Sequence, residues 1–362
     1  MSIGIKAPGR YTQGAGELSK LGMNVKKMGG RFLILCSANT RGRIGAAVEE
    51  SLRGAEKEWV LCDFHGECSK EEISRVMAEF EKAGCDVMVG AGGGKVIDTA
   101  KAAAENLGGK PVVILPTVAS NDAPCSGVAV IYNDAGVVVK ALLTRRNPDL
   151  VLVDTDIIAR APARLLTAGM GDALATWFET RACKRSGAKN MARGLCSSTA
   201  YGMSRLCYDL LIQNGAAALE AVKRQESNQA LEDVVEASIY LSGLGFESGG
   251  LAAAHAINDG FAHVPAAHGS YHGEKVAYGL LCQLLLEGAP QAEWDEVFGF
   301  CKTVGLPTTL ADLGITQPVE AELRRAAEAA CAPTQSTKNV RPDITPEEVY
   351  AAICKVDALG RG

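Results

Sequence analysis

The chain has 362 residues, with 47% hydrophobic and 22% charged residues, an ordinary globular composition long enough for two domains. Its formal net charge of -5, with lysines and arginines scattered no more densely than pairs such as Arg145-Arg146, excludes a general nucleic-acid binder, which needs a basic face to displace counterions. No apolar stretch approaches the roughly 20 residues of a bilayer span, and the opening Met1-Ser2-Ile3-Gly4 signals no export, so a cytoplasmic protein without membrane contact is expected.

Short β-branched runs alternate with amphipathic stretches in the first part. Arg31 to Cys36 and Glu58 to Asp63 read as strands. Ile73, Val76, Met77 and Phe80 then recur at helical spacing, and Ser69 with Glu72 predicts a capping box at the start of that helix. A strand at Asp86 to Val89 runs into glycines, and a helix resumes from Lys95 to Leu107. Pro111 to Pro116 is a further strand. Val128 to Tyr132 and Val137 to Leu142, joined across Asn133-Asp134-Ala135-Gly136, predict a hairpin, and Leu150 to Asp154 closes the series. Such alternation implies an α/β domain with a doubly wound, mostly parallel sheet. Near Ala161-Pro162 the chain turns rich in alanine, leucine and glutamate with helical periodicity. The expected division is an α/β dinucleotide-binding domain, 1–161, and an all-helical metal-binding and catalytic domain, 162–362.

Twelve cysteines are spread over the chain without CxxC pairs, and several lie in apolar runs, so they read as reduced thiols rather than a disulfide scaffold or a metal site. The segment Gly90-Ala91-Gly92-Gly93-Gly94-Lys95 follows a strand and opens a helix. There glycines let the backbone approach a pyrophosphate, and the helix N-terminus offers N–H donors. It is neither a Walker A loop nor a full G-x-G-x-x-G, and a strand-to-helix turn without a ligand stays open. Asp98, one turn on, is placed to bond a ribose or nicotinamide amide, or simply to meet the helix dipole. After the next strand, Thr117, Ser120 and Ser126 can donate to phosphate or amide groups, and Asp122 can accept from a substrate hydroxyl. The alternative is a self-bonded polar turn.

Four of the five histidines fall between residues 255 and 272. His255 lies in a small-residue helix and His272 in a loop entering a helix. His268 is four residues from His272, but the loop context argues against a shared helical face. Asp172, among small residues at the start of an apolar helix, is costly to bury unless paired or metal-bound. One carboxylate and two imidazoles suit Zn²⁺ and leave an open coordination position.

The blocks GGGKVIDTAK (92–101), PTVASNDAPCS (116–126), APARLLTAGMGDALATWFE (161–179), FESGGLAAAHA (246–256) and YHGEKVAYG (271–279) together resemble the glycerol dehydrogenases of the iron-containing alcohol dehydrogenase superfamily. The resemblance runs over nearly the whole chain. It implies a dehydroquinate-synthase-like fold, a homo-oligomer that is often an octamer, and oxidation of glycerol or a related 1,2-diol to the hydroxyketone with NAD. It also implies that Asp172, His255 and His272 hold the metal. Thr176 stands where iron-using relatives carry a fourth ligand, a histidine, which favours Zn²⁺ over Fe²⁺. Gly92, Gly93, Gly94, Lys95, Asp98, Thr117, Ser120, Ser126, Val128 and Tyr132 match nucleotide-contacting positions, and Asp122 a substrate-contacting one.

Three departures stand out. Ser37 occupies the place of an acid that binds the adenosine ribose, so Arg41 or Arg43 could attract the 2′-phosphate of NADP. The relatives' His-Ala-x-His-Asn-Gly is His255-Ala256-Ile257-Asn258-Asp259-Gly260 here. Lys338-Asn339 stands near the relatives' His-Asn. Two other readings remain: an enzyme of this fold acting on a phosphorylated substrate, which needs cations beyond Lys275, and a non-catalytic nucleotide-binding descendant.

Overall fold

A parallel sheet forms from β1 (Tyr11–Gly14), β2 (Arg31–Cys36), β3 (Glu58–Asp63), β4 (Val87–Gly92), β5 (Val112–Pro116) and β8 (Leu150–Asp154). The strand order is β1-β8-β5-β4-β2-β3, with every pairing parallel. The computed structural model describes residues 2–133 and 138–362. β4, β5 and β8 are buried along their whole length and β2 from its second residue, as expected of strands covered by helices on both faces. Among those helices are α1 (Ala38–Gly54), α2 (Lys70–Lys82) and α3 (Gly94–Asn106). β4 runs on through the first glycines, further than its apolar residues alone predict. At Gly90 a Cβ would lie 2.8 Å from the Ala100 Cβ, so α3 packs onto β4 only because that side chain is absent.

Of the capping box expected at α2, the Ser69 half forms: its hydroxyl accepts from Glu72 N. The Glu72 carboxylate instead binds Arg75 Nε and Nη2, at 2.8 and 2.7 Å, and accepts from His65 N. A charged guanidinium is a stronger partner than a neutral amide. The hairpin pairs β6 (Val128–Tyr132) with β7 (Val138–Leu143) in antiparallel register, Val128 opposite Leu143. Asp134, Ala135 and Gly136 of the expected turn, and Val137 at the start of the expected second strand, lie outside the described residues.

The hairpin is fixed to α3 by a buried ion pair. Lys101, 2% exposed, places Nζ 2.9 Å from Asp98 Oδ1. It also donates to the carbonyls of Ala123, at 2.9 Å, and Val128. The other Asp98 oxygen accepts from Val130 N at 3.0 Å. One cation thus ties the helix after the glycine loop to the polar loop and to the first strand of the hairpin.

Beyond residue 162 the described residues contain helices and no named strand. They are α4 (Ala163–Ser186), α5 (Ser198–Lys223), α6 (Gln229–Val235), α7 (Ser242–Gly249), α8 (Ala253–Gly260), α9 (His272–Glu287), α10 (Gln291–Val304), α11 (Glu320–Ala330) and α12 (Pro346–Arg361). A π-helical turn, Glu236–Leu241, joins α6 to α7.

The chain's two compact units depart from a single cut at 161/162 in two places. Glu220–Tyr240 belongs with the sheet, alongside Lys6–Pro162, and the N-terminal residues to Ile5 belong with the helical unit. Specific bonds account for both. Glu232 on α6 accepts from Gln13 Nε2 at 2.7 Å and from Thr155 Oγ1 at 2.5 Å. Asn190 donates to Gly4 O at 2.9 Å, and Leu195 N to Ser2 O.

Lys101→Met leaves the Asp98 carboxylate buried without its cation, so urea unfolding should show a loss of about 3–5 kcal/mol. The Asp98→Asn/Lys101→Met double variant should lose less than the sum of its two single variants. A fully additive loss would mean that the pair is not coupled.

Candidate active site

α4 is buried almost continuously from Leu166 to Thr180 and carries two acids, Asp172 and Glu179, both with no exposure. Seven residues apart, they lie on one face of the helix. Two glycines bring the start of α9 onto that face. A Cβ on Gly273 would lie 1.8 Å from Ala168 O, and one on Gly171 would lie 2.5 Å from Gly273 O. His272, the first residue of α9, thereby meets Asp172, with Nε2 to Oδ1 at 3.3 Å. α8 closes on α9 at Gly279, where a Cβ would sit 2.4 Å from Ala254 O. This brings His255 in the first turn of α8 to the same oxygen, at 3.4 Å from Nε2. One donor atom from each of Asp172, His255 and His272 lies within 4.8 Å of the others.

Behind His255 stands Glu179. Its Oε2 is 2.6 Å from His255 Nδ1, while Oε1 accepts from Ala252 N and His255 N. A carboxylate on Nδ1 selects the tautomer that turns the Nε2 lone pair to the site. Burial pushes the Asp172 carboxyl up, but the His272 and His255 imidazoles outweigh it and hold the group below the usual carboxylate range. For His255, burial opposes the charged form, and the Glu179 and Asp172 carboxylates reverse this, raising the imidazole well above its ordinary value. Two buried carboxylates thus call for positive charge between them. A divalent ion held by one carboxylate oxygen and two imidazole nitrogens would supply it, and this donor set fits zinc.

Thr176, one turn from Asp172, has its hydroxyl 2.8 Å from Ser242 Oγ. His268 is not brought to the cluster: its Nε2 faces Ala262 O at 3.0 Å in an exposed turn. Lys338 and Asn339 hold the carbonyls of Pro333 and Leu251, at 2.6 and 2.8 Å. The sequence marks Glu179 only as an acid seven residues after Asp172.

In the sheet unit, β2 connects outward to β3 while β4 connects the other way to β5, so the order reverses between β2 and β4. Open α/β sheets bind ligands at the carboxyl ends of the strands flanking such a reversal. Ser37 follows β2, and Gly93-Gly94-Lys95 follow Gly92 at the end of β4. Gly93 caps α3 without a side-chain bond, which leaves first-turn amides for an anion. Ser37 caps α1 by accepting from Thr40 N at 3.2 Å. Arg41 pairs with Asp63 at 2.9 Å, and Arg43 reaches the Thr117 and Ile157 carbonyls.

Lys95 meets Glu67 at 2.6 Å and lies 5.7 Å from the Tyr132 ring centroid. Asp98, expected to reach a ribose or an amide, has its oxygens directed to Lys101 and Val130 N instead. Thr117, Ser126 and Val128 are buried and Ser120 half-buried, and Asp122 precedes the 3-10 turn Ala123–Cys125.

Glu179→Gln keeps the size of the residue behind His255 but removes its charge. Titration of the metal-stripped protein with zinc should show affinity weakened by about 10–100-fold. Unchanged affinity would remove Glu179 from the site.

The sequence profile of the iron-containing alcohol dehydrogenase family matches residues 8–155. A glycerol dehydrogenase of Escherichia coli O6:H1 is 48% identical, covering 99% of this chain and 97% of its own. A glycolaldehyde reductase of Halobacterium salinarum is 40% identical over 100% of this chain and 99% of its own. The crystal structure of a probable glycerol dehydrogenase from Sinorhizobium meliloti 1021 matches with a TM-score of 0.93 at 41% identity, covering 99% of each chain. Identity of this degree over the full length, on a parallel sheet followed by helices, makes the chain a member of the iron-containing alcohol dehydrogenase family, on its glycerol dehydrogenase branch.

Proposed function

We propose that the protein oxidises glycerol, or a related 1,2-diol, to the corresponding hydroxyketone with NAD, using zinc held by Asp172, His255 and His272. The observation that carries this reading is the convergence of those three side chains with Glu179 fixing the His255 tautomer. The metal, when bound, supplies a Lewis acid that lowers the pKa of an alcohol. Zinc is preferred to iron because the hydroxyl of Thr176, and no imidazole, stands one turn after Asp172.

The rest of the work falls to the chain. Gly92, Gly93, Gly94 and Lys95 at the start of α3 take the pyrophosphate, with Lys95 exchanging Glu67 for phosphate oxygen. Thr117, Ser120 and Ser126 orient the nicotinamide amide beside Val128 and Tyr132. Asp98 acts indirectly, through Lys101 and the hairpin backbone. Asp122 accepts from a second substrate hydroxyl and so favours diols over simple alcohols.

NAD is preferred to NADP because Arg41 is engaged by Asp63 and Arg43 by carbonyls, leaving Ser37 no free guanidinium for a 2′-phosphate. A phosphorylated substrate is disfavoured, since near the helical-unit cluster Arg164 is held by both oxygens of Glu274, leaving Lys275 as the available cation. The twelve cysteines are free thiols, and among the described residues no helix is long and apolar enough to cross a membrane. Both features suit a cytoplasmic enzyme, and a homo-oligomer is the assembly proposed with it.

The test is nicotinamide reduction by metal-stripped protein reloaded with zinc, given glycerol or propane-1,2-diol and either NAD or NADP. Activity should require zinc and favour NAD. Asp172→Asn and His255→Ala should lower kcat/KM on the order of a thousandfold or more, the several kcal/mol a metal gives to developing charge. Wild-type turnover in either variant with full metal content overturns the assignment.

A further inference from the structure

Two polar atoms one helical turn from the candidate metal ligands, Asn258 Oδ1 and Lys275 Nζ, have no hydrogen-bond partner among the described residues. Asn258 follows His255 by three residues on α8 and is 7% exposed. Its Nδ2 donates to Asp259 Oδ1 at 3.1 Å, which fixes the orientation of the amide. The buried Asn258 Oδ1 then accepts from no group among the described residues. Buried polar atoms are almost always paired, so one left over marks a place for something else.

Lys275 follows His272 by three residues on α9. Burial pushes its ammonium below the usual lysine range, although Asp259 and Glu274 pull the other way. The ammonium makes no hydrogen bond or ion pair with the described protein groups. Asp259 is the common neighbour, hydrogen-bonded to Asn258 and acting on Lys275 through its charge.

Residues three apart on a helix share a face and are displaced by about 4.5 Å along its axis. Both groups are therefore set one helical turn from their histidines, a step of the size that leads from the reacting central hydroxyl of a three-carbon polyol to the hydroxyl of a neighbouring carbon. Among the described residues, one group is a buried acceptor without a donor and the other a half-buried donor without an acceptor. A hydroxyl is the neutral group that uses both at once.

We propose that Asn258 Oδ1 and Lys275 Nζ together bind the far hydroxyl of the substrate, accepting its proton and donating to its oxygen. They thereby act as specificity-determining residues that favour a triol over a diol. This rests on the alcohol-oxidation reading above, with one hydroxyl at the Asp172, His255 and His272 cluster.

The experiment compares kcat/KM for glycerol and for propane-1,2-diol, which lacks the far hydroxyl, on the full-length zinc-loaded enzyme at saturating NAD. The variants are Asn258→Leu, Asn258→Ser, Lys275→Met, Lys275→Arg and the Asn258→Leu/Lys275→Met double, each checked for zinc content and thermal midpoint. On glycerol, Asn258→Leu should fall about 10-fold and Lys275→Met about 30–100-fold, the ordinary worth of a neutral and a charged hydrogen bond. The double variant should be scarcely worse than Lys275→Met, because both groups serve one hydroxyl, and propane-1,2-diol should stay within about twofold throughout.

Lys275→Arg should recover part of the preference for glycerol, and Asn258→Ser should repeat the Leu result with less disturbance of packing. Parallel losses on both substrates, or no loss on glycerol, in variants that hold zinc overturn this proposal alone. A wild-type protein inactive on both substrates overturns the alcohol-oxidation reading, and this one with it.

Discussion

Two carboxylates without solvent, Asp172 and Glu179 on one face of α4, set the terms for the helical unit. An unpaired buried charge is among the costliest things a fold can hold, so every neighbour of these acids has to answer it. Glu179 is met by two backbone amides and an imidazole, and Asp172 by two imidazoles. Bringing those partners in requires helices to cross almost in backbone contact. The glycines at 171, 273 and 279 follow from that need more than from any conformational demand of their own. A site built this way is preorganised for a cation, since the negative charge is already desolvated and its ligands are already aimed.

The sheet unit answers the same problem with the sign reversed. Lys101 is a buried cation on α3, and its field is met by Asp98 and by backbone carbonyls of the polar loop. Its acceptors are not exclusively carboxylates, so it orders backbone from two separate segments around one point. The hydroxyl-rich loop owes its position to this ammonium. The carboxylate that reads in the sequence as a ligand group is the one that keeps the ammonium buried.

Much of this was legible in the residues. Arg31 to Cys36 and Leu150 to Asp154 announced buried strands because apolar side chains run without interruption where both faces are covered. The glycines after Val89 announced a strand-to-helix turn, and the crowding of histidines from 255 to 272 pointed to a constellation that the motif blocks narrowed to three residues. Other features left no such mark. β1, Tyr-Thr-Gln-Gly, is half-buried at the sheet edge and shows neither a continuous apolar run nor a clean alternation. Lys101 has the spacing of an ordinary exposed helix lysine, and Glu179 that of a helix acid. Their burial is decided by partners distant in sequence. Likewise, the periodicity of Glu220–Tyr240 says helix but not which unit it packs against, a matter settled by Gln13 and Thr155 reaching Glu232.

That last segment has a consequence for the order in which the chain can acquire its structure. Proteins emerge from the ribosome N-terminus first, and domains generally fold as units. Here the sheet unit is not a contiguous piece of chain, because Glu220–Tyr240 returns to it after Ala163–Leu219 has entered the other unit. When Thr155 has been synthesised all six strands of the sheet exist, yet Gln13 and Thr155 still await the carboxylate of Glu232. The sheet unit therefore reaches its final bonding only after more than half of the chain has been made, with helix α4, which carries Asp172 and Glu179, already synthesised ahead of it.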